Sequence, residues 1–344
     1  MCRCLIIYKG EINITKYKIG LVYNKPKDLT VEEKELDPRS YRQAEIISSD
    51  IKKAFESRGH EVTLIPASTN LLYDIKQLGD IDVIFNSAVG INHKSEQSNV
   101  VGMLELIDIP FVGSSLLPQV VSLNKEHAKA TFRAVEVPVS PFQVFYREDS
   151  KLDDDLDFPL FVKPVREGSA VGITDASKVK DEVELREQVK YILDNFNQPA
   201  LVEGYLPGRE FSVGVIGTKN PKTLPIMEVI IPEEYGSAQT VEVKAKNVVK
   251  RECPADITSE LADEISKNVL RAYNALGCSE FARVDVKLDK DGVPNIIELN
   301  AIPALEEGYA HYPLMAEVSG YDMGELVEKL VEEAIQAYKE EAIV

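Results

Sequence analysis

Apolar and polar positions fall into short blocks along the chain. "KIGLVYN" (18–24) has the length and continuity of a buried strand, and a charged stretch follows it. From about Ser40 to Ser57 the spacing becomes helical, with Ile46, Ile47, Ile51 and Phe55 on one stripe, and Gly59 marks its end. "HEVTLIPA" reads as the next strand. "DIDVIFN" and "IPFVG" are two more apolar runs, separated by a helix-like "SNVVGMLELI". Strands alternating with helices predict a parallel sheet with right-handed crossovers, so residues 1–115 are expected to form a doubly wound α/β unit.

A second block (116–202) opens on the helical "NKEHAKATFRAVE" and carries the strand-like "FQVFY", "PLFVKP" and "PALVEGY" with the helix "VELREQVKYILDNF". The third (203–344) holds "GREFSVGVIG", a Val- and Lys-rich segment, the helix "SELADEISKNVLRAYNAL", two strands, and a closing amphipathic helix "MGELVEKLVEEAIQAYK". The expected fold class is α/β, becoming α+β in the C-terminal part, with three domains in series and no internal repeat. A length of 344 residues fits that number of cores.

Composition narrows the chemistry. Apolar residues at 44% and charged residues at 28% are those of an ordinary globular protein, and no apolar run is long enough to span a bilayer. With "MCRCLIIYKGE" too quickly charged for a secretory signal, the expected compartment is the cytoplasm. A net charge of −18 argues against non-specific nucleic-acid binding. Cys2, Cys4, Cys253 and Cys278 imply no disulfide framework, and a lone C-x-C at Cys2 and Cys4 is a weak metal motif. The four histidines lack zinc-ligand spacing, and no G-x-S-x-G offers a serine nucleophile.

"FARVDVKLDKDGVPNIIELN" (281–300) is the most informative segment. Its first strand alternates, with Ala282, Val284, Val286 and Leu288 on one face and Phe281, Arg283, Asp285 and Lys287 on the other. Asp291-Gly292 predicts a two-residue hairpin loop, in which Lys290 pairs with Val293, Asp285 with Glu298 and Arg283 with Asn300. Opposed carboxylates repel unless a cation lies beside them, and Asp285, Glu298 and Asn300 form an all-oxygen set suited to Mg²⁺. The competing reading is a surface hairpin whose acids are satisfied by Arg283 and Lys287.

"FPLFVKPVREGSAVGI" (158–173) runs from an apolar strand into glycines and charge. Lys163 at the strand end could meet a phosphate, the backbone of "EGSAVG" could turn its N–H groups to the same anion, and Ser169 adds a hydroxyl. A plain turn is the alternative. The loop is neither a P-loop nor a Rossmann fingerprint.

Together "LNKEHAK", "FPLFVKPVREGSAVGI", "ALVEGYLPGREFSVGV" and "FARVDVKLDKDGVPNIIELNAIP" resemble the ATP-grasp superfamily, and within it the D-alanine–D-alanine ligases, over about 122–303. The resemblance implies ATP and Mg²⁺ as cofactors, two ions in number, with Mn²⁺ an allowed substitute. It implies phosphate contacts from Lys125 and Lys163 and a lid from Glu167 to Gly172, including Gly168 and Ser169. Glu203 and the backbone near Leu206 would meet adenine, and Glu210 the ribose. Asp285, Glu298 and Asn300 would hold metal, while Arg283, with Ser169, would act on the reacting groups. One of Lys244 and Lys246 would be a mobile-loop lysine.

The implied reaction joins a carboxylate to an amine through an acyl phosphate. The partners are therefore small molecules, most naturally amino acids, with no nucleic acid or membrane, and a homodimer is allowed. Two other classes are an ATP sensor without catalysis and a kinase that stops at the acyl phosphate. The chain departs from the family pattern at the substrate end. "LVYNKPKDLT" lacks the glycine-rich turn and glutamate, "AVGINHKSEQS" keeps only Glu96, and Pro303-Ala304 and Ala310 stand where a glycine and a serine are usual. Glu306 and Glu307 are extra acids there. The expectation is an amine substrate other than D-alanine, cationic or neutral at that end; the alternatives are Tyr309 serving the same carboxylate, and a true D-alanine–D-alanine ligase.

Overall fold

The computed structural model describes residues 15–25, 40–91, 98–236 and 239–341. The features expected at Cys2, Cys4 and Glu96 lie outside them. The first sheet is parallel, in the order β2-β1-β3-β4. Its elements run β1 (Lys18–Tyr23), α1 (Ser40–Ser57), β2 (Glu61–Pro66), α2 (Leu71–Leu78), β3 (Val83–Asn86), α3 (Ser98–Leu104) and β4 (Phe111–Val112). Period-two alternation divides β1 between two cores. Ile19 and Leu21 face Ile51 and Phe55 of α1, while Val22 faces Leu71, Ile75, Val100 and Leu104 from α2 and α3. Helices on both faces make the unit doubly wound. The stripe on α1 is corrected at Ile46, which is 41% exposed, whereas Ala54 is buried. α2 was not foreseen, because "LLYDIKQL" is short and has no capping residue that hydrogen-bonds its end.

α4 (Leu116–Leu123) and α5 (Lys125–Ala134) follow, the latter capped by the Asn124 side-chain oxygen Oδ1, which accepts from the Glu126 and His127 amides. The second sheet contains β5 (Phe142–Phe145), β6 (Leu160–Pro164), β7 (Lys178–Val179) and β8 (Ala200–Gly204), ordered β5-β8-β6-β7 and antiparallel. α6 (Glu182–Phe196) covers it with Leu185, Val189 and Ile192.

The third sheet is antiparallel too, β12-β11-β9-β13-β14, with β10 on β9. Its chain order is β9 (Glu210–Ile216), β10 (Lys222–Thr223), β11 (Met227–Ile230), α7 (Val241–Lys246), β12 (Lys250–Glu252), α8 (Ser259–Leu276), β13 (Phe281–Leu288) and β14 (Pro294–Asn300). α9 (His311–Val318) and α10 (Met323–Glu341) close the chain.

The expected boundaries need correction. A break at 202/203 falls inside β8, and the second sheet ends at Gly204. Ala128 and Phe132 of α5 bury against Val269, Ala272 and Val284, so that helix belongs to the third sheet's core. Leu326, Leu330 and Val331 of α10 return to the first sheet beside Ile51 and Phe55. Helical periodicity shows that a face is apolar but not which sheet covers it.

Candidate active site

The hairpin carries its acids where the alternation put them, by a different route. β13 and β14 pair Arg283 with Asn300 and Asp285 with Glu298, as expected, but Lys287 pairs with Asn295 and Leu288 with Pro294. The Asp289 amide donates to the Val293 carbonyl at 3.0 Å, so the loop is the three residues Lys290–Gly292 rather than two. A bulge between Asp285 and Val286 leaves Ile297 as the extra residue and restores the register. Two departures cancel, and the site pairing survives.

Arg283 donates to both Asp285 oxygens, at 3.0 Å from Nε and 2.8 Å from Nη2. Asn300 Nδ2 lies 3.3 Å from Asp285 Oδ2 and 3.4 Å from Glu298 Oε1, which ties the two acids together. Lys125, the first residue of α5, reaches Glu298 at 3.3 Å and donates to the Glu167 carbonyl at 2.5 Å. Burial alone would raise the Glu298 carboxyl, but Lys125, Lys163, Arg283 and Lys244 outweigh it and hold it at about 2. Lys287 pairs with Glu210 at 2.9 Å and not with the hairpin acids.

A second cluster joins the two antiparallel sheets. Glu203 on β8 takes Lys163 at 2.6 Å and Lys129 at 2.9 Å. Burial again pushes this carboxyl up, and the two ammoniums bring it down to about 2. Lys129 was missed, although it lies four residues after Lys125 and so on the same helix face. The carboxylate of Glu203, expected at a base, is thus engaged by lysines.

The glycine loop covers these lysines. Ser169 and Ala170 are left-handed (φ 55° and 65°), and Gly172, at φ 78°, has no room for a side chain because a Cβ would sit 2.5 Å from Pro164 Cγ. Glu167, Gly168 and Ser169 line a cavity of about 450 Å³ together with Lys125, Lys163, Glu203, Leu206, Glu210, Lys244, Arg283, Asp285, Glu298 and Asn300. Gly172 shapes the loop without lining the cavity. Lys246 points away, to Glu242 and the Tyr235 ring, so of the two lysines on α7 only Lys244 faces inward.

Beyond Arg283 the walls hold residues the sequence reading left unassigned. Ser212 Oγ donates to Asp285 Oδ1 at 2.5 Å, and with its proton committed it accepts from His311 Nδ1–H at 3.2 Å. Desolvation, with the Arg283 guanidinium nearby, lowers His311 to about 3, so its ring is neutral. Arg251 and Tyr309 complete this end. Glu306 and Glu307 do not line it. Glu306 accepts from Gln43 of α1 at 3.2 Å, and the Glu307 amide donates to Asp50 at 3.3 Å. The extra acids therefore give no support to a cationic substrate there.

The fold and this cavity define an ATP-grasp ligase, and comparison with known proteins agrees. The model "D-ala D-ala ligase C-terminus" matches residues 131–332. The D-alanine–D-alanine ligase of Acetivibrio thermocellus is 33% identical over 273 residues, covering 76% of this chain and 69% of that one. The uncharacterized protein y4sG of Sinorhizobium fredii is 31% identical and covers 97% of this chain and 96% of its own. Two solved structures share the fold at lower identity. The Bacillus anthracis D-alanine–D-alanine ligase complexed with ATP superposes at TM-score 0.73, with 23% identity over 94% of this chain and 99% of that one. The VanG D-Ala:D-Ser ligase of Enterococcus faecalis gives 0.72, with 21% identity over 93% and 100%.

The chain belongs to the D-alanine–D-alanine ligase family and is an ATP-dependent, ADP-forming ligase of that type. Among the described residues no helix is long and apolar enough to cross a membrane.

Proposed function

We propose that the protein joins the carboxylate of one amino acid to the amine of a second substrate while ATP is cleaved to ADP and phosphate. The observation that carries this reading is the convergence of Lys125, Lys163, Arg283, Asp285, Glu298 and Asn300 on one cavity beneath the glycine loop. A carboxylate oxygen attacks the γ-phosphorus, the bond to ADP breaks, and an acyl phosphate forms. The amine then attacks the acyl carbon, loses a proton, and phosphate leaves.

Lys125 and Lys163 neutralise charge on the transferring group, Arg283 faces the oxyanion, and the loop around Ser169 keeps water out. Glu210 is assigned to the ribose and the Glu203–Leu206 backbone to the base. Asp285 and Glu298, held together by Asn300, become with the Asn300 oxygen turned toward them a donor set that fits Mg²⁺, two ions in this proposal, and Mn²⁺ by the same chemistry. When bound, Mg²⁺ would neutralise phosphate oxygens. The set of charged groups is complete, which supports catalysis over a silent ATP sensor.

Three units are proposed, the first ending near 115 and the second between Gly204 and Glu210. The exposure of Leu106, Leu116, Leu117 and Val120 supports a homodimer, and dependence on ATP supports the cytoplasm. At the amine end Ala304 and Ala310 remove features usual in the family, which supports a second substrate other than D-alanine. The names of the relatives favour a second reading, D-alanine in both positions. ADP release from pairs of D- and L-amino acids, followed by product mass, decides between them. Efficient formation of D-alanyl-D-alanine from D-alanine alone at ordinary millimolar levels would establish the second reading. ATP hydrolysis with no condensed product from any pair would overturn both.

A further inference from the structure

We propose that Arg251, on edge strand β12, grips the carboxylate of the amine-bearing substrate; the assignment rests on the ligase reading above. Arg251 lines the cavity beside Tyr309, Ala310 and His311, and among the described residues β12 pairs only with β11, Arg251 opposite Val229. Its guanidinium lies over the Tyr309 ring, 5.0 Å from the centroid, a cation–π contact that restrains the fork. The only hydrogen bond it donates among the described residues is a long one, Nη2 to Asn247 Oδ1 at 3.4 Å, and Nε is buried without an acceptor.

The lining carboxylates are already engaged elsewhere: Glu203 by Lys163, Glu210 by Lys287, Asp285 by Arg283, Glu298 by Lys125 and Glu167 by Gln198. Arg251 therefore borders the cavity with donor capacity left over, and a planar two-oxygen anion is the group that fits a guanidinium fork.

The reaction says which anion. The donor's carboxylate is consumed at the phosphoryl site by the lysines and Arg283. A cation apart from those groups suits a carboxylate that survives into the product, and that is the one carried by the amine substrate. The substrate class is thus α-amino acids, or other amines bearing a carboxylate. The missing hydroxyl at Ala310, the N-cap of α9, is replaced by a guanidinium from β12.

The test uses the full chain with ATP and Mg²⁺, and offers pairs of D- and L-amino acids in which the second member is given either as the acid or as its α-amide. In wild type the acid is expected to outrun the amide. Arg251→Met should raise KM for the acid about thirtyfold with kcat little changed and erase the acid-over-amide preference, and Arg251→Lys should recover part of it. ADP affinity and thermal unfolding should stay at wild-type values. An unchanged KM, an equal loss of ADP affinity, a wild-type preference for amides, or ADP release satisfied by no carboxylate-bearing amine would each overturn the assignment. Failure of the ligase reading shows separately, as no condensed product from any pair in the wild-type enzyme, and removes the assignment with it.

Discussion

Glu203 and Glu280 are both buried carboxylates, and they go opposite ways. Glu203, in the cavity, is held at about 2 by Lys129 and Lys163 against the effect of burial. Glu280 lies where the first sheet meets the third, accepting from the Gly113 amide at 3.0 Å and the Thr218 hydroxyl at 3.2 Å, and burial raises it to about 7. Glu333 nearby adds to the rise. Desolvation acts the same way on both, so the cations decide. In the cavity they keep acids charged at neutral pH and stay available to a phosphate. At the junction a carboxyl that is about half-protonated at neutral pH serves as a hydrogen-bonding bridge.

The largest expected effect breaks the cavity side of this contrast. Glu298→Gln keeps the shape and removes the charge, so turnover should fall about a thousandfold while the folded state survives. Steady-state ADP release beside thermal unfolding checks it, and turnover within tenfold of wild type would remove Glu298 from the machinery.

Lys163→Ala leaves Glu203 with Lys129 alone. Breaking a buried pair should cost about 3 kcal/mol of stability, and nucleotide affinity should drop by about tenfold or more. Denaturant unfolding and ADP titration read the two separately; unchanged ADP binding would return the glycine loop to an ordinary turn.

The lysines on α7 sharpen the comparison further. Lys244→Ala should lower kcat by about tenfold or more, and Lys246→Ala should leave it within about twofold, as for an exposed ion pair. Equal effects would mean that orientation toward the cavity is not what matters.

The smallest effect concerns pH. Glu203 is depressed in the fold, so its contribution to stability is present above about 4.5 and lost as pH falls toward 2. Glu280 is raised, so its contribution is present below 4.5 and lost as pH rises through about 7. Glu280→Gln should flatten the decline in stability between pH 5 and 8, by on the order of 3 kcal/mol at most. A decline that persists in the variant would place its origin elsewhere.

The sequence by itself determined the first sheet, the limits of α1 and α8, the pairing of Asp285 with Glu298, and the charged groups around the cavity apart from Lys287 and Arg251. These follow from period-two and helical spacing and from residue chemistry, which are local. Only the tertiary structure decided that α5 packs under the third sheet and α10 returns to the first. It alone showed that Glu203 is clamped by two lysines, that Lys244 and not Lys246 faces inward, and that Arg251 meets Tyr309 while Glu306 and Glu307 turn to α1. Each of these depends on which apolar face meets which, or on residues brought together from distant strands. Spacing along a chain carries no record of such meetings, because burial and charge compensation are settled between elements, not within them.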